Sequence, residues 1–346
     1  MKYIYSIIVL TTLFGVTACS LNNDDYFEVH AIEYESDLKS TVHSFINITT
    51  LIRPSEFVNV SDNYLLVSDS GTNGFIKVFK IPELKFLYSW GNQGSGPNEF
   101  HHTPIHDINT FNGNVILYEI GSRILREYSV NDTTLSLVNE TFLKYEDQHH
   151  PLSGITRVND DLYIVENRIS LDGKNHEFLA LQPNNSSPLF SFANYPETEL
   201  ELNEKYWEYI KSIGISDDAS RIAAFYYYHN KFKIFDNTGK LLNKFKVKDG
   251  SINNNEGELL NFLYRSIKSS SDSYLYLLAM NDYRDTIEEN IETFRASFEK
   301  WNWDGEQLNR SRFDVPIHNF VVSEKLGKIY GYSVLDIYSI YEFDIP

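Results

Sequence analysis

The chain has 346 residues, 48 acidic against 30 basic, for a net charge of −18, and it is 15% aromatic with a single cysteine. That charge argues against a nucleic-acid partner, which needs clustered Lys and Arg for the phosphates, and one cysteine excludes a disulfide scaffold. At 42% hydrophobic and 23% charged the composition is that of ordinary globular protein.

Lys2 is followed by an apolar run over residues 3–16. This is too short for a permanent transmembrane helix, which needs about 20 residues, but it fits the core of a signal peptide. The run ends in Val16-Thr17-Ala18-Cys19, with the chain's only cysteine last. Residues 1–18 therefore read as a signal peptide and 19–44 as a tether that begins at Cys19. Asp24 and Asp25 lie in that stretch, and they fit a surface-export signal and a solvated tether equally well.

From residue 45 a phrase recurs: a turn of Asp, Asn, Ser or Gly, then a short strand of alternating apolar residues. Its strand anchors are Leu65, Val115, Leu162, Ile222, Leu275 and Ile329, which stand 47 to 60 positions apart. Each phrase continues into a second alternating run, such as Phe75-Ile76-Lys77-Val78-Phe79 or Phe232-Lys233-Ile234-Phe235. Period-two alternation between turn residues marks strands and hairpins. Six such units predict an all-β, six-bladed β-propeller over 45–346, with blades of about four antiparallel strands. The last unit is short, so Phe45-Ile46-Asn47-Ile48 with Leu51-Ile52 is expected to supply its outer strand and close the ring. Three segments break the rhythm, 193–214, 254–267 and 281–296, with spacings that read as helical.

Trp90-Gly91-Asn92-Gln93-Gly94-Ser95-Gly96-Pro97-Asn98-Glu99-Phe100 resembles the Gly-x-x-Gly-x-Gly-Pro-x-Glu-Phe signature of NHL-type six-bladed propellers. Val67-Ser68-Asp69-Ser70-Gly71 with the strand at Phe75, and Gly121-Ser122-Arg123-Ile124, resemble steps of the same repeat. With Val16-Thr17-Ala18-Cys19, which resembles a bacterial lipobox, the chain is similar to the TolB-like propeller lipoproteins of Gram-negative bacteria. The resemblance implies a lipid on Cys19 as the membrane attachment. With Ser20 rather than Asp after the cysteine, it also implies the outer membrane, on its periplasmic or its external face.

No zincin, nucleophile-elbow or cysteine-nucleophile motif occurs. The residues expected at the channel mouth are Asp69, Glu119, Glu166, Arg168, His229, Asp282 and Tyr332, at or just beyond the strand ends, and His101, His102 and His106, after the Gly-Pro loop. Such a mixture suits a polar ligand or Ca²⁺ as much as catalysis, and no other cofactor is expected. The leading expectation is a binding module for an envelope protein or a glycan. The alternative is a glycoside hydrolase-, lactonase- or lyase-like enzyme with a carboxylate- or metal-lined channel.

Overall fold

The computed structural model describes residues 26–45, 54–69, 74–94, 96, 99–100, 108–119, 122–144, 153–167, 175–197, 199–200, 202–249, 261–283, 289–290 and 292–346. Three short strands come first: β1 (Phe27–His30), β2 (Ser36–Leu38) and β3 (Thr41–Ser44). Blade 1 is β4 (Pro54–Val60), β5 (Tyr64–Asp69), β6 (Ile76–Lys80) and β7 (Lys85–Trp90). After the two-residue strands β8 (Asn92–Gln93) and β9 (Glu99–Phe100), blade 2 is β10 (Ile108–Phe111), β11 (Asn114–Glu119), β12 (Ile124–Val130) and β13 (Leu135–Phe142). Blade 3 is β14 (Ser153–Asn159), β15 (Leu162–Glu166), β16 (His176–Leu181) and β17 (Phe190–Asn194), followed by helix α1 (Leu202–Glu208). Blade 4 is β18 (Lys211–Ile215), β19 (Arg221–Tyr226), β20 (Lys231–Asp236) and β21 (Leu241–Lys248). Blade 5 is β22 (Asn261–Ser270), β23 (Tyr274–Tyr283), β24 (Ser297–Asn302) and β25 (Gln307–Phe313). Blade 6 is β26 (Asn319–Ser323), β27 (Lys328–Ser333) and β28 (Asp336–Asp344), with β3 as its fourth strand.

The fold is a six-bladed β-propeller, built from six small antiparallel sheets. The recurring turn joins the first and second strands of a blade, so the anchors Leu65 to Ile329 stand on second strands. The innermost strand is the one before the turn. Six buried apolar clusters fill the six blade-to-blade wedges, ending with Phe57, Leu65 and Phe79 of blade 1 against Val321, Tyr330 and Ile340 of blade 6. Large aromatics fit these wedges because they bury the most surface per residue. Phe232, for example, stacks on Phe225 at 4.2 Å and meets Trp301 of blade 5 edge-on at 5.4 Å.

Three expectations change. The ring is closed by the N-terminal chain, but through β3, whose Thr41–Ser44 pair with Ser339–Glu342; the stretch 46–53 lies outside the described residues. The segment read as tether is folded from Tyr26 onward. In it β1 adds to β21 and β2 to β25, both parallel, as fifth strands on blades 4 and 5. Of the three helical readings, 193–214 holds the seven-residue α1 and then enters β18. Residues 261–267 are strand instead, because β22 finds a ten-residue partner in β23 and pairing across the sheet outweighs local spacing. Residues 281–283 likewise end β23, while 251–260, 284–288 and 291 lie outside the described residues.

The glycine-rich phrase after blade 1 folds into a small loop. Strand β8 pairs parallel with β9, the Glu99 carboxylate accepts the Gly96 N–H at 2.7 Å, and Phe100 packs edge-on to Phe75 and Trp90. Gly91 begins the loop at φ +78°, and a Cβ there would lie 2.4 Å from the Phe75 ring. Gly91→Ala is therefore expected to destabilise the protein by about 1–3 kcal/mol, through a strained φ and a displaced core ring. A urea midpoint within error of wild type would contradict this.

Candidate functional site

The six innermost strands surround a central channel of about 990 Å³. Hydroxyls and amides recur along its wall, with Asn109 and Thr110 from β10, Thr156 from β14, Ser212 from β18, and Ser266 and Ser269 from β22, among charged side chains such as Arg157 and Lys268 and apolar ones such as Ile213 and Val321. Several wall groups also tie neighbouring blades together. Asn109 Nδ2 donates to the Ile155 carbonyl at 2.8 Å, Ser212 Oγ accepts the Ile267 N–H at 2.7 Å, and Ser270 Oγ donates to the Ile215 carbonyl at 2.8 Å. The wall is thus polar, and its inner strands are cross-braced.

At one mouth lie the turns between first and second strands, and they are stitched around the ring. Ser323 Oγ donates to Asp62 at 2.5 Å, Asp272 accepts the Asp218 N–H at 2.7 Å, and Tyr276 OH donates to Glu324 at 2.8 Å. Asp217 lines this mouth, and its carboxyl is pushed up by burial and by the negative charges of Asp272 and Glu324. A raised folded-state value means that Asp217 works against folding increasingly as the pH rises above the unfolded value near 3.8, and fully above the folded one. Asp217→Asn is therefore expected to raise the melting temperature slightly at pH 7 and to leave it unchanged near pH 3. A fall at pH 7 would contradict this.

The second-strand ends lie at the other mouth. Here the expected residues separate. Glu166 lines the channel beside Tyr206, Tyr227 and the start of β18 at Lys211. Asp69 is buried, with one oxygen 3.4 Å from the equally buried Lys77 Nζ. Burial pushes the Lys77 ammonium down, and the Asp69 charge only partly offsets it. Glu119 is buried against Arg126 at 3.1 Å and accepts from Ser122 Oγ at 2.7 Å. Tyr332 packs on Phe57 in the wedge between blades 6 and 1. His229 stacks on Tyr209 at 4.7 Å, with Nε2 3.0 Å from the carbonyl of Glu208, the last residue of α1. Asp282 is in β23, with its side chain outside the description, and Cys19, His101, His102, His106 and Arg168 lie outside the described residues. No group of three or more His, Cys, Asp or Glu converges as a metal site among the described residues.

The structure also assembles two buried charge clusters from residues far apart in the sequence. Glu177 of blade 3 accepts from Lys211 at 2.7 Å, Lys233 at 2.6 Å and Tyr226 OH at 2.6 Å, with Glu177 and Lys211 fully buried. Lys211 Nζ also faces the rings of Phe178, Tyr195 and Tyr226 at 4.7–5.2 Å. Burial alone would push the Glu177 carboxyl up, but the two lysines outweigh it and hold the group below its ordinary value. Between blades 4 and 5, Asp249 takes Arg265 at 3.1 Å and Arg310 at 2.6 Å, while Glu299 takes Arg265 at 3.0 Å. A charged residue inside an apolar or aromatic run is the sequence signal for these clusters: Glu177 before Phe-Leu-Ala-Leu, and Glu299 within Phe-Glu-Lys-Trp.

No protein-family model and no curated protein matches the chain. Solved structures do. A member of the DUF4221 family from Bacteroides vulgatus superposes with a TM-score of 0.56 at 12% identity, covering 89% of this chain and 97% of that one. A candidate exported protein from Bacteroides fragilis gives 0.54 at 13% identity, covering 92% and 98%. The likeness is one of fold. A gluconolactonase from Xanthomonas campestris lies farther off, with a TM-score of 0.45 at 10% identity, covering 89% and 90%.

Proposed function

We propose that the protein is exported to the Gram-negative cell envelope, anchored in the outer membrane by a lipid on Cys19, and holds a protein or glycan partner in its propeller channel. The lipobox-like Val16-Thr17-Ala18-Cys19 supports the anchor. The full-length fold likeness to a candidate exported protein of Bacteroides fragilis agrees with export. The channel wall carries the binding reading: hydroxyl and amide side chains on cross-braced strands offer many neutral hydrogen-bonding groups at fixed positions. Such a wall suits a polar ligand, because its groups are preorganised and lose little entropy on binding. Two of the best-placed carboxylates, Asp69 and Glu119, are engaged with Lys77 and Arg126 inside their own blades, an arrangement that favours structural charge over acid–base work.

Two experiments test this reading. Metabolic labelling with a palmitate analogue should mark the wild-type protein and not Cys19→Ser; equal labelling would overturn the anchor. Immobilised full-length protein should capture a component of envelope extract saturably. Absence of any saturable component, protein or glycan, would overturn the binding module.

A further inference from the structure

Residues 231–248 hold six lysines and one acid, Asp236, in a chain whose net charge is −18. They form β20 and β21, the outer half of blade 4. In their antiparallel register Lys231 stands opposite Lys246 and Lys233 opposite Lys244, so these four share one face of the sheet, and Lys248 extends the row by two residues. Lys233 reaches inward to Glu177. Lys231 and Lys244 lie over the Tyr26 ring at 5.4 and 5.0 Å, Lys248 is 3.1 Å from Glu28, and Lys240 is exposed in the turn. Large apolar side chains are exposed at the same edge: Phe27 at 57%, Leu241 at 43% and Leu242 at 43%. A cationic row flanked by exposed apolar side chains is the composition of a membrane-surface contact.

The path of the chain says which surface lies nearby. Strand β1 is the outermost strand of blade 4, and only six residues separate Cys19 from Tyr26, a reach of at most about 25 Å. We infer that the outer edge of blade 4 is the membrane-docking face of the protein, with Lys231, Lys244, Lys246 and Lys248 on anionic lipid headgroups and Phe27, Leu241 and Leu242 at the interface. The placement rests on the anchored reading above, but the charge-dependent docking is measurable without the lipid.

The test uses full-length Cys19→Ser protein, sedimented with vesicles of phosphatidylcholine alone or with 30 mol% phosphatidylglycerol (about a third anionic, within the range where basic patches respond). The apolar residues 3–16 are common to every sample, so comparisons between vesicles and between variants isolate the lysines. Binding should be at least about tenfold stronger on anionic vesicles and should weaken with salt. Lys244→Gln/Lys246→Gln/Lys248→Gln should lose most of that preference and bind both vesicles to within about twofold. The matching arginine triple should keep it, as should Lys39→Gln/Lys85→Gln, whose exposed lysines lie on other blades. Equal binding to both vesicles, or a glutamine triple as good as wild type, overturns the inference. Binding to dextran sulfate with none to anionic vesicles overturns it too, and assigns the strip to an anionic glycan. The palmitate experiment fails or succeeds independently of all these outcomes.

Discussion

Glu177→Gln is expected to cost about 3–5 kcal/mol, because it leaves the buried Lys211 and the partly buried Lys233 around a neutral amide. Glu177 and Lys211 are both fully buried, and Lys211, Lys233 and the Tyr226 hydroxyl all converge on the one carboxylate. Removing one partner of a buried pair exposes the desolvation cost of the other, and here two cations lose their counter-charge. The loss should also appear in acid. The folded-state value of Glu177 lies below its ordinary one, so its contribution is complete above the unfolded value near pH 4.5 and fades as pH falls through the folded value. Wild-type urea midpoints should thus hold from pH 7 to 5 and fall below about 4.5. The variant should start lower and lose less over the same acid range. A variant within about 1 kcal/mol of wild type at pH 7 would mean that the cluster is not the brace described.

Deleting residues 26–44 is expected to abolish cooperative folding. Without β3, blade 6 keeps three strands and β28 becomes an unpaired edge, the standard template for aggregation. The same deletion uncovers the buried Leu38 and Phe313 contact, takes the Ile32 N–H from Gln307 and the Glu35 carboxylate from Asn309, and removes the Tyr34 ring from Arg310, 4.4 Å away. A deletion of 26–38 that keeps β3 should instead stay folded with a lower melting temperature, because the ring remains closed. Circular dichroism and urea unfolding separate the two. A cooperatively folded 26–44 deletion, with a melting temperature near wild type, would show that closure lies elsewhere.

Much of this architecture is written locally in the chain. Turns such as Asn112-Gly113 and Asp236-Asn237-Thr238-Gly239, each followed by alternating apolar residues, announce hairpins, and their recurrence gives the blade number. The outermost strands are less legible. Phe45-Ile46-Asn47-Ile48 looks more strand-like than Thr41-Val42-His43-Ser44, yet the second set pairs with β28, some 295 residues away. Phe27-Glu28-Val29-His30 and Ser36-Asp37-Leu38 are short and polar, and their strand character comes entirely from the exposed edges of β21 and β25. The site divides in the same way. Glu166 was placed by its position at a strand end, whereas the Glu177 cluster depends on partners 34 and 56 residues away that no local pattern names.

The binding claim itself turns on the channel. Thr110 and Thr156 line it from blades 2 and 3 without lying in the apolar core, so Thr110→Trp/Thr156→Trp should narrow the passage and leave the blades intact. With the melting temperature unchanged, capture of the envelope component by the full-length variant should fall at least about tenfold, the cost of losing a small part of a preorganised site. Undiminished capture by the narrowed channel would place binding on another surface and contradict the account.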